Sequence, residues 1–554
     1  MSTGKDSTGA PALKHVEIVQ RLFPETPPTS PVTAKLSIID ATVGRFSPTA
    51  AIWLYDKPAG TEMPHHRLFD TLSRALRQTL DDYPHFAGQI QWASESMVKK
   101  DDDVPRHLGR PVVVHGAPTD PGVEVVVASY DMRLDEVVPG RDERATRLKN
   151  WNASDFRQAD FLPDTKIALS SLDALEGLPA LAVQLTAFRC GGFGVSAKIS
   201  HPLADAVTLT NFMRSWAARS RILFRGSSSS SSSNGSAADD LDLLKPVFDP
   251  GRLDRVAGLR PGSPPDPEKV AKARSLPMHR FDWWAEDAPG YPRAVRPASL
   301  ATMPPPDELA ATELSPSTFP PWPTWDMGAA VDHVQIRFAA DELARMKAAA
   351  QASLPDDLGT LRLRVSRLDA ALAHVWTLMN RARGFRGDGG SVYANITLGL
   401  RNRVSPPLPD TFVGSPLLLG YVEKTADEAA SQQQQLGPVA GAIRHMMSRF
   451  TPDAVAAYVH DAAHEVSPQR LWQGFPGTRH TIVTSWVRTG AYELDFLGPG
   501  GGLARYVQGV MPRIDGLVQI MDVADTGDFD VSVCMQRDAM GRLLKDPCLR
   551  QYEK

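Results

Sequence analysis

Two segments of the chain place a histidine four residues before an aspartate, His66–Asp70 and His201–Asp205. A neutral imidazole, with an ordinary pKa of about 6.5, accepts a proton from a bound alcohol near neutral pH. Either histidine is therefore a candidate general base, and the spacing alone does not choose. The surroundings do. His66 opens a stretch in which Leu68, Leu72, Leu76 and Leu80 recur one turn apart. That pattern predicts an amphipathic helix over His66–Tyr83, with His66 and Asp70 on its solvent face. His201 follows Val195, Ala197 and Ile199, which alternate as on a strand, and precedes Ala206, Leu209, Phe212, Met213 and Trp216 at helical spacing. It stands at a strand-to-helix junction, where rigid elements can fix a side chain. Asp205 comes immediately before the helical pattern, and aspartate is a favoured N-cap.

A second group of candidates lies in VTSWV. If this is a strand, Thr484 and Trp486 share one face and Ser485 turns away. A threonine hydroxyl and an indole N–H are hydrogen-bond donors suited to a developing oxyanion, although Trp486 could equally be core. Other chemistries find no support. There is no G-x-S-x-G elbow, no HExxH and no GxxxxGK, and the three cysteines (Cys190, Cys534, Cys548) lack CxxC spacing. No metal site and no disulfide framework is expected. The formal net charge of -4 is spread, with no basic block for nucleic acid. No apolar run nears the roughly 18 residues of a membrane helix, the start MSTGKDSTGAPALKH has no apolar core, and the tail QYEK is no address. The expectation is a soluble, cytoplasmic monomer that does not engage membranes.

At 554 residues the chain exceeds what one core holds. Two composition breaks divide it into lobes over 1–225 and 331–554, joined by 226–330. The serine run Ser227–Ser233 reads as a flexible surface loop. The stretch Gly262–Pro323 is proline-rich yet carries Trp283, Trp284 and Trp322, with Trp325 just beyond. It reads as an extended crossover lying against both lobes. Leu181–Ala187 and Val195–Ile199 read as paired strands around Gly191 and Gly192. Asp341–Gln351 and Ser366–Arg383 read as helices, and Phe529, Val531, Val533 and Met535 mark a strand. The fold class is α+β with mixed sheets, lacking a steady βαβ rhythm.

The order strand, HPLAD, helix ending in tryptophan resembles the BAHD acyltransferases, an acyl-CoA-dependent family with an HxxxD motif. Further segments are similar to that family in its own order: LSIID (Leu36–Asp40), YPHFAGQI (Tyr83–Ile90), PVFDP (Pro246–Pro250), SRLDAALAHVW (Ser366–Trp376), LRNRVSPPLPDTFVGS (Leu400–Ser415) and VTSWVRTGAYELDFLG (Val483–Gly498). There are departures. Ala206 follows Asp205 where the family has glycine, Ser415 replaces the asparagine of YFGN, and DFGWG is reduced to Asp495, Phe496, Leu497, Gly498 and Pro499. With the serine and proline insertions, these look like fungal secondary-metabolism members, including trichothecene acetyltransferases.

The resemblance implies two similar lobes, chloramphenicol-acetyltransferase-like, with the active site in a channel between them. It implies acyl-CoA as co-substrate, no permanently bound cofactor, and a small-molecule alcohol as acceptor. His201 would be the base, and Thr484 and Trp486 the oxyanion donors. Asp205 would turn from substrate to pair with Arg401 or Arg403. Asp495 would have a structural task at the lobe interface, with Gly498 and Gly500 allowing close chain approach. Transfer to an amine is an alternative, and so is a degenerate member acting as a binding protein. The related peptide-condensation domains carry HHxxxDG, and Ser200 here replaces the first histidine.

Overall fold

The computed structural model describes residues 13–58, 63–94, 97, 108–226, 243–260, 262–355, 363–431, 435–498 and 502–553. The serine run and Gly500 lie outside the described residues.

Two mixed sheets carry the fold. The first has six strands in the order Lys14–Leu22, Val123–Tyr130, Leu181–Phe188, Phe193–Ile199, Thr49–Tyr55, Tyr506–Gly509. The second has seven, in the order Leu417–Thr425, Ser391–Gly399, His480–Ser485, Leu517–Val523, Asp528–Gln536, Val331–Phe338, Asn150–Asn152. Each half of the chain lends a strand to the other's sheet. Tyr506–Gly509 pairs antiparallel with Thr49–Tyr55, and Asn150–Asn152 pairs with Val331–Phe338.

The strand pair Leu181–Phe188 and Phe193–Ile199 is antiparallel and almost wholly buried. Its polar members do not face water. Gln184 donates to the Asp160 carbonyl at 2.9 Å, and the Ser196 hydroxyl donates to the Phe161 carbonyl. A short segment, Gln158–Phe161, thus covers the polar face, and buried polar groups keep partners. The helix His65–Asp82 buries Leu68, Leu72, Leu76 and Leu80 while His66 and Asp70 stay exposed. It packs on the helix Ala206–Gly226, where the Trp216 indole donates to the Leu72 carbonyl at 2.8 Å. Ser366 caps the helix Arg367–Arg383, and Asp369 closes the capping box.

The halves are also joined by buried charge. Arg144 donates to Asp530 at 2.9 Å, and Arg337 and Tyr492 reach the same carboxylate at 3.0 Å. Burial alone would raise Asp530, but Arg337 and Arg144 hold it below the usual carboxylate value. The proline-rich crossover is packed: Trp283, Trp284 and Trp322 are 7%, 7% and 4% exposed, in one cluster with Trp472 and Phe475. Asp282 of the crossover pairs with Arg470 at 2.9 Å, while Arg45 from the first half lies over Trp283. Among the described residues, no helix is long and apolar enough to cross a membrane.

Candidate active site

His201 opens a single 3-10 turn, His201–Leu203, between the strand ending at Ile199 and the helix starting at Ala206. Pro202 fixes the backbone there and gives up an N–H that the turn does not need. The imidazole is half-buried at the seam between the two halves of the chain. On one side the Phe46 ring meets it edge-on at 5.2 Å. On the other, its Nδ1 lies 2.9 Å from the Ser415 hydroxyl. Burial pushes the imidazole down to about 4, so the ring is neutral at pH 7. Nε2 makes no hydrogen bond to any described residue.

Asp205 does not face the same space. Its carboxylate accepts two bonds from Arg401, at 2.6 and 3.0 Å, and a third from the Thr208 N–H at 2.9 Å. It is therefore at once the N-cap of the following helix and half of a buried ion pair. Arg403 is not part of this pair. Its guanidinium donates to the Met447 and Phe450 carbonyls at 2.6 and 3.1 Å, closing the end of the helix Gly437–Ser448. Of the two arginines expected from sequence, only Arg401 reaches Asp205.

Arg401 also ties in the segment before Ser415, donating to the Phe412 carbonyl at 3.1 Å. The Gly414 carbonyl accepts from the Asp205 N–H at 3.1 Å and the Thr208 hydroxyl at 2.9 Å. Gly414 adopts φ +145°, and a Cβ there would meet the Asp40 carboxylate at 3.0 Å. Glycine is what lets this chain lie between HPLAD and LSIID. PVFDP contributes from behind, since Val247 exchanges main-chain bonds with Thr411 and Val413 at 2.9 Å.

Asp40 completes the support of Ser415. It is 1% exposed, accepts from the Ser415 N–H at 2.7 Å, and accepts from Ser37 through its other oxygen. Burial raises its carboxyl to about 6 against these hydrogen bonds. Asp40 and Ser415 each lie in a motif, Asp40 as the last residue of LSIID and Ser415 as a departure from the family's asparagine. Neither could be assigned to His201 from sequence, because the contact spans 214 positions.

Thr484 is half-buried near the end of His480–Ser485, and Trp486 is 4% exposed. Among the described residues neither the Thr484 hydroxyl nor the Trp486 indole N–H has a hydrogen-bond partner. Their strand neighbours give the orientation. Ile482 and Phe46, the ring that touches His201, pack against the same small cluster of Val43, Leu417 and Leu419, while Val483 enters the core of the second lobe. Trp486 joins the apolar cluster that contains Leu203 and Ala204 of HPLAD. Ile482, Thr484 and Trp486 alternate with Val483, so their face is the one turned to the seam. The Ser485 hydroxyl instead accepts from the Val487 N–H at 3.3 Å.

Asp495 caps its own turn, accepting from the Leu497 and Gly498 N–H groups at 2.9 Å. The segment around it is pinned to the first half: Trp53 and Tyr55 donate to the Ala491 and Leu494 carbonyls at 2.8 and 3.0 Å, and Arg221 donates to the Asp495 carbonyl at 2.6 Å. Gly498 corrects the expectation of close approach. A Cβ there would come no nearer than 3.7 Å to Arg221, and the glycine is needed because φ is +88°.

Two mixed sheets exchange strands and hold a histidine at their seam. The structure of F. graminearum TRI101 complexed with coenzyme A and deoxynivalenol has this fold, with a TM-score of 0.62 over 94% of this chain and 99% of that one at 17% identity. The model of the Transferase family matches residues 118–235 and 307–548. The chain belongs to this family, the BAHD acyl-CoA-dependent acyltransferases. It is similar along nearly its whole length to two fungal proteins. Acyltransferase AFT15-1 of Alternaria alternata is 24% identical over 548 residues, 97% of each chain. Acyltransferase abl6 of Leptosphaeria maculans is 24% identical over 544 residues, 96% of this chain and 97% of that one.

Proposed function

We propose that the protein moves an acyl group, acetyl in the first instance, from acyl-CoA to a hydroxyl of a small-molecule secondary metabolite, with His201 as general base. The observation that carries this reading is the state of the His201 ring. Its Nδ1 lies 2.9 Å from the Ser415 hydroxyl, while Nε2 has no hydrogen-bond partner among the described residues. A proton on Nδ1, given to the Ser415 hydroxyl, leaves the Nε2 lone pair for substrate.

Nε2 then takes the hydroxyl proton as the oxygen attacks the thioester carbonyl. The tetrahedral oxyanion is met by the Thr484 hydroxyl and the Trp486 indole, both free of other partners among the described residues. When the C–S bond breaks, the imidazolium returns its proton to the CoA thiolate. General-base help of this kind is worth roughly 10²–10⁴-fold. Asp205 acts at a distance, because its lone pairs are spent on Arg401 and Thr208. The choice of a secondary-metabolite hydroxyl leans on TRI101, whose structure was solved with coenzyme A and deoxynivalenol.

The test is incubation with acetyl-CoA and a panel of polyol and phenolic acceptors, read by mass spectrometry. Wild-type protein yields an acetyl ester and His201→Ala does not. An ester formed equally by both, or by neither, overturns the reading.

A further inference from the structure

A cavity of about 180 Å³ lies in the second half of the chain, between the helices Arg367–Arg383 and Gly437–Ser448 and the residues that follow the last helix. The strand Leu417–Thr425 measures its separation from the reacting centre. Leu417 closely follows Ser415, the partner of His201, whereas Lys424, on the cavity wall, is roughly 24 Å further along at the rise of an extended strand. The cavity is also on the other side of the sheet. Leu417 and Leu419 pack with Phe46 at the seam, while Leu418 and Val422, which share a face with Lys424, enter the core of the second lobe. What fills this cavity does not share the space that His201 faces.

The charged groups on the wall are already paired. Arg381 donates to both oxygens of Asp546, at 2.8 and 3.2 Å. Lys424 lies 3.8 Å from Glu428, whose other oxygen accepts from Thr425. Leu378, Leu436 and Val439 make the wall apolar. Two acceptors interrupt it. His374 is 2% exposed, and burial pushes its imidazole down to about 4, so the ring is neutral. Nε2 donates to the Leu549 carbonyl at 3.2 Å, so Nδ1 carries a lone pair, which meets no donor among the described residues. Gln551 Oε1 is likewise buried without a partner. Both residues line the cavity, and buried acceptors in native proteins have donors.

Size, wall and acceptors together specify an occupant. An apolar cavity of about 150 Å³ takes a benzene ring. Charges that cancel on the wall favour a neutral molecule over an ion, because an ion would lose its hydration without gaining a counter-charge. The apolar wall suits a ring, and the unmet acceptors call for a hydroxyl that donates. Water alone would meet the acceptors but would leave the leucines and the valine wetted.

We propose that this cavity is a binding site, separate from the acyl-transfer centre, for a small neutral phenol whose ring packs on Leu378, Leu436 and Val439 and whose hydroxyl donates to Gln551 or His374. Occupancy ties the helix Arg367–Arg383 to the C-terminal segment and so stabilises the second lobe.

Fluorine NMR on the full chain tests this with 4-fluorophenol and 4-fluorotoluene, in which a methyl of similar size replaces the hydroxyl and donates nothing. Wild-type protein should bind 4-fluorophenol saturably, and about 2- to 12-fold more tightly than 4-fluorotoluene, the range of one neutral hydrogen bond. Gln551→Leu and His374→Phe are measured side by side, and the one that removes the working acceptor should bring that ratio near one. Thr377→Trp fills the cavity from a half-buried position on its wall and should abolish binding of both probes. His201→Trp obstructs the acyl-transfer centre and should leave both affinities unchanged. Melting curves check that the variants fold, and Gln551, half-buried near the C-terminus, is the position least able to unfold the chain. Absence of saturable binding, equal affinity for the two probes, or an undiminished ratio in both acceptor variants overturns the proposal. So does binding that is lost in His201→Trp and kept in Thr377→Trp, which would put the probe at the acyl-transfer centre.

Discussion

Asp205 and Arg401 are joined by two parallel N–H bonds, at 2.6 and 3.0 Å, across the seam between the halves of the chain. Because the same carboxylate also caps the Ala206–Gly226 helix through Thr208, capping and anchoring are one structure with two separable energies. Asp205→Ala removes both and leaves a buried guanidinium unpaired, a loss of about 3–5 kcal/mol. Asp205→Asn keeps an oxygen for the Thr208 N–H and should cost less. In a double-mutant cycle followed by urea unfolding, Asp205→Ala and Arg401→Ala should couple strongly, whereas Arg403→Ala should add to Asp205→Ala without coupling. Full additivity with Arg401 would reduce Asp205 to a cap.

The pH dependence follows from the burial of His201. A histidine ordinarily near 6.5 that is held near 4 in the folded protein is neutral well into the acid range. The acid limb of kcat/KM should therefore have its midpoint near 4 to 5, below the value of a solvated imidazole. For stability the sign is the same. The unfolded chain binds the proton first, so the contribution is full above 6.5 and is lost as pH falls toward 4. His201→Ala should abolish turnover and flatten part of that loss. His66→Ala should do neither, since His66 is exposed on the helix surface. An acid limb at 6.5 that survives in His66→Ala would show His201 to be solvated in the working enzyme.

Thr484 and Ser485 test the proposed oxyanion donor against its neighbour on the strand. Thr484→Val should lower kcat by about 2.7–4 kcal/mol in transition-state terms with little change in KM, the pattern of a group that acts on developing charge. Ser485→Ala should be nearly neutral, because that hydroxyl only supports the turn at Val487. Equal losses would dissolve the distinction that strand alternation makes between them.

The fold was legible where the pattern is local. The leucine spacing of His66–Tyr83 and the alternation in Leu181–Ala187 are properties of single elements, and both elements form as read. The exchanged strands Asn150–Asn152 and Tyr506–Gly509 were not read. They are three and four residues long, too short for periodicity, and exist because a distant edge accepts them. At the site, the junction around His201 could be read from flanking patterns. The choice between Arg401 and Arg403 could not, since both lie in an irregular turn where two residues of separation do not fix a direction. Phe46 carried no signal at all, since its place at the site comes only from His201, far away in the chain.

Ser415 is where sequence and structure differ most. It replaces an asparagine expected from the family resemblance, and so reads as erosion of a motif. In the structure it is fully buried, with its hydroxyl 2.9 Å from His201 Nδ1 and its main-chain N–H on Asp40 at 2.7 Å. A serine is shorter than an asparagine, and the Gly414 backbone and the Asp40 carboxylate bring it within reach of the ring. If the hydroxyl accepts the Nδ1 proton, it holds the tautomer that leaves Nε2 free for substrate. Ser415→Ala should then lower kcat roughly 2- to 12-fold, the range of one neutral hydrogen bond, while KM for both substrates changes little. The melting temperature should fall only slightly, because the main-chain bond to Asp40 remains. Ser415→Asn restores a polar partner and should recover part of kcat if the partner matters more than its length. Nitrogen NMR of the His201 ring decides the point independently of rate. Wild type should show the proton on Nδ1, and Ser415→Ala a mixture of tautomers. A single unchanged tautomer in Ser415→Ala, together with an unchanged kcat, would mean that something other than Ser415 orients the base and that Ser415 merely fills space.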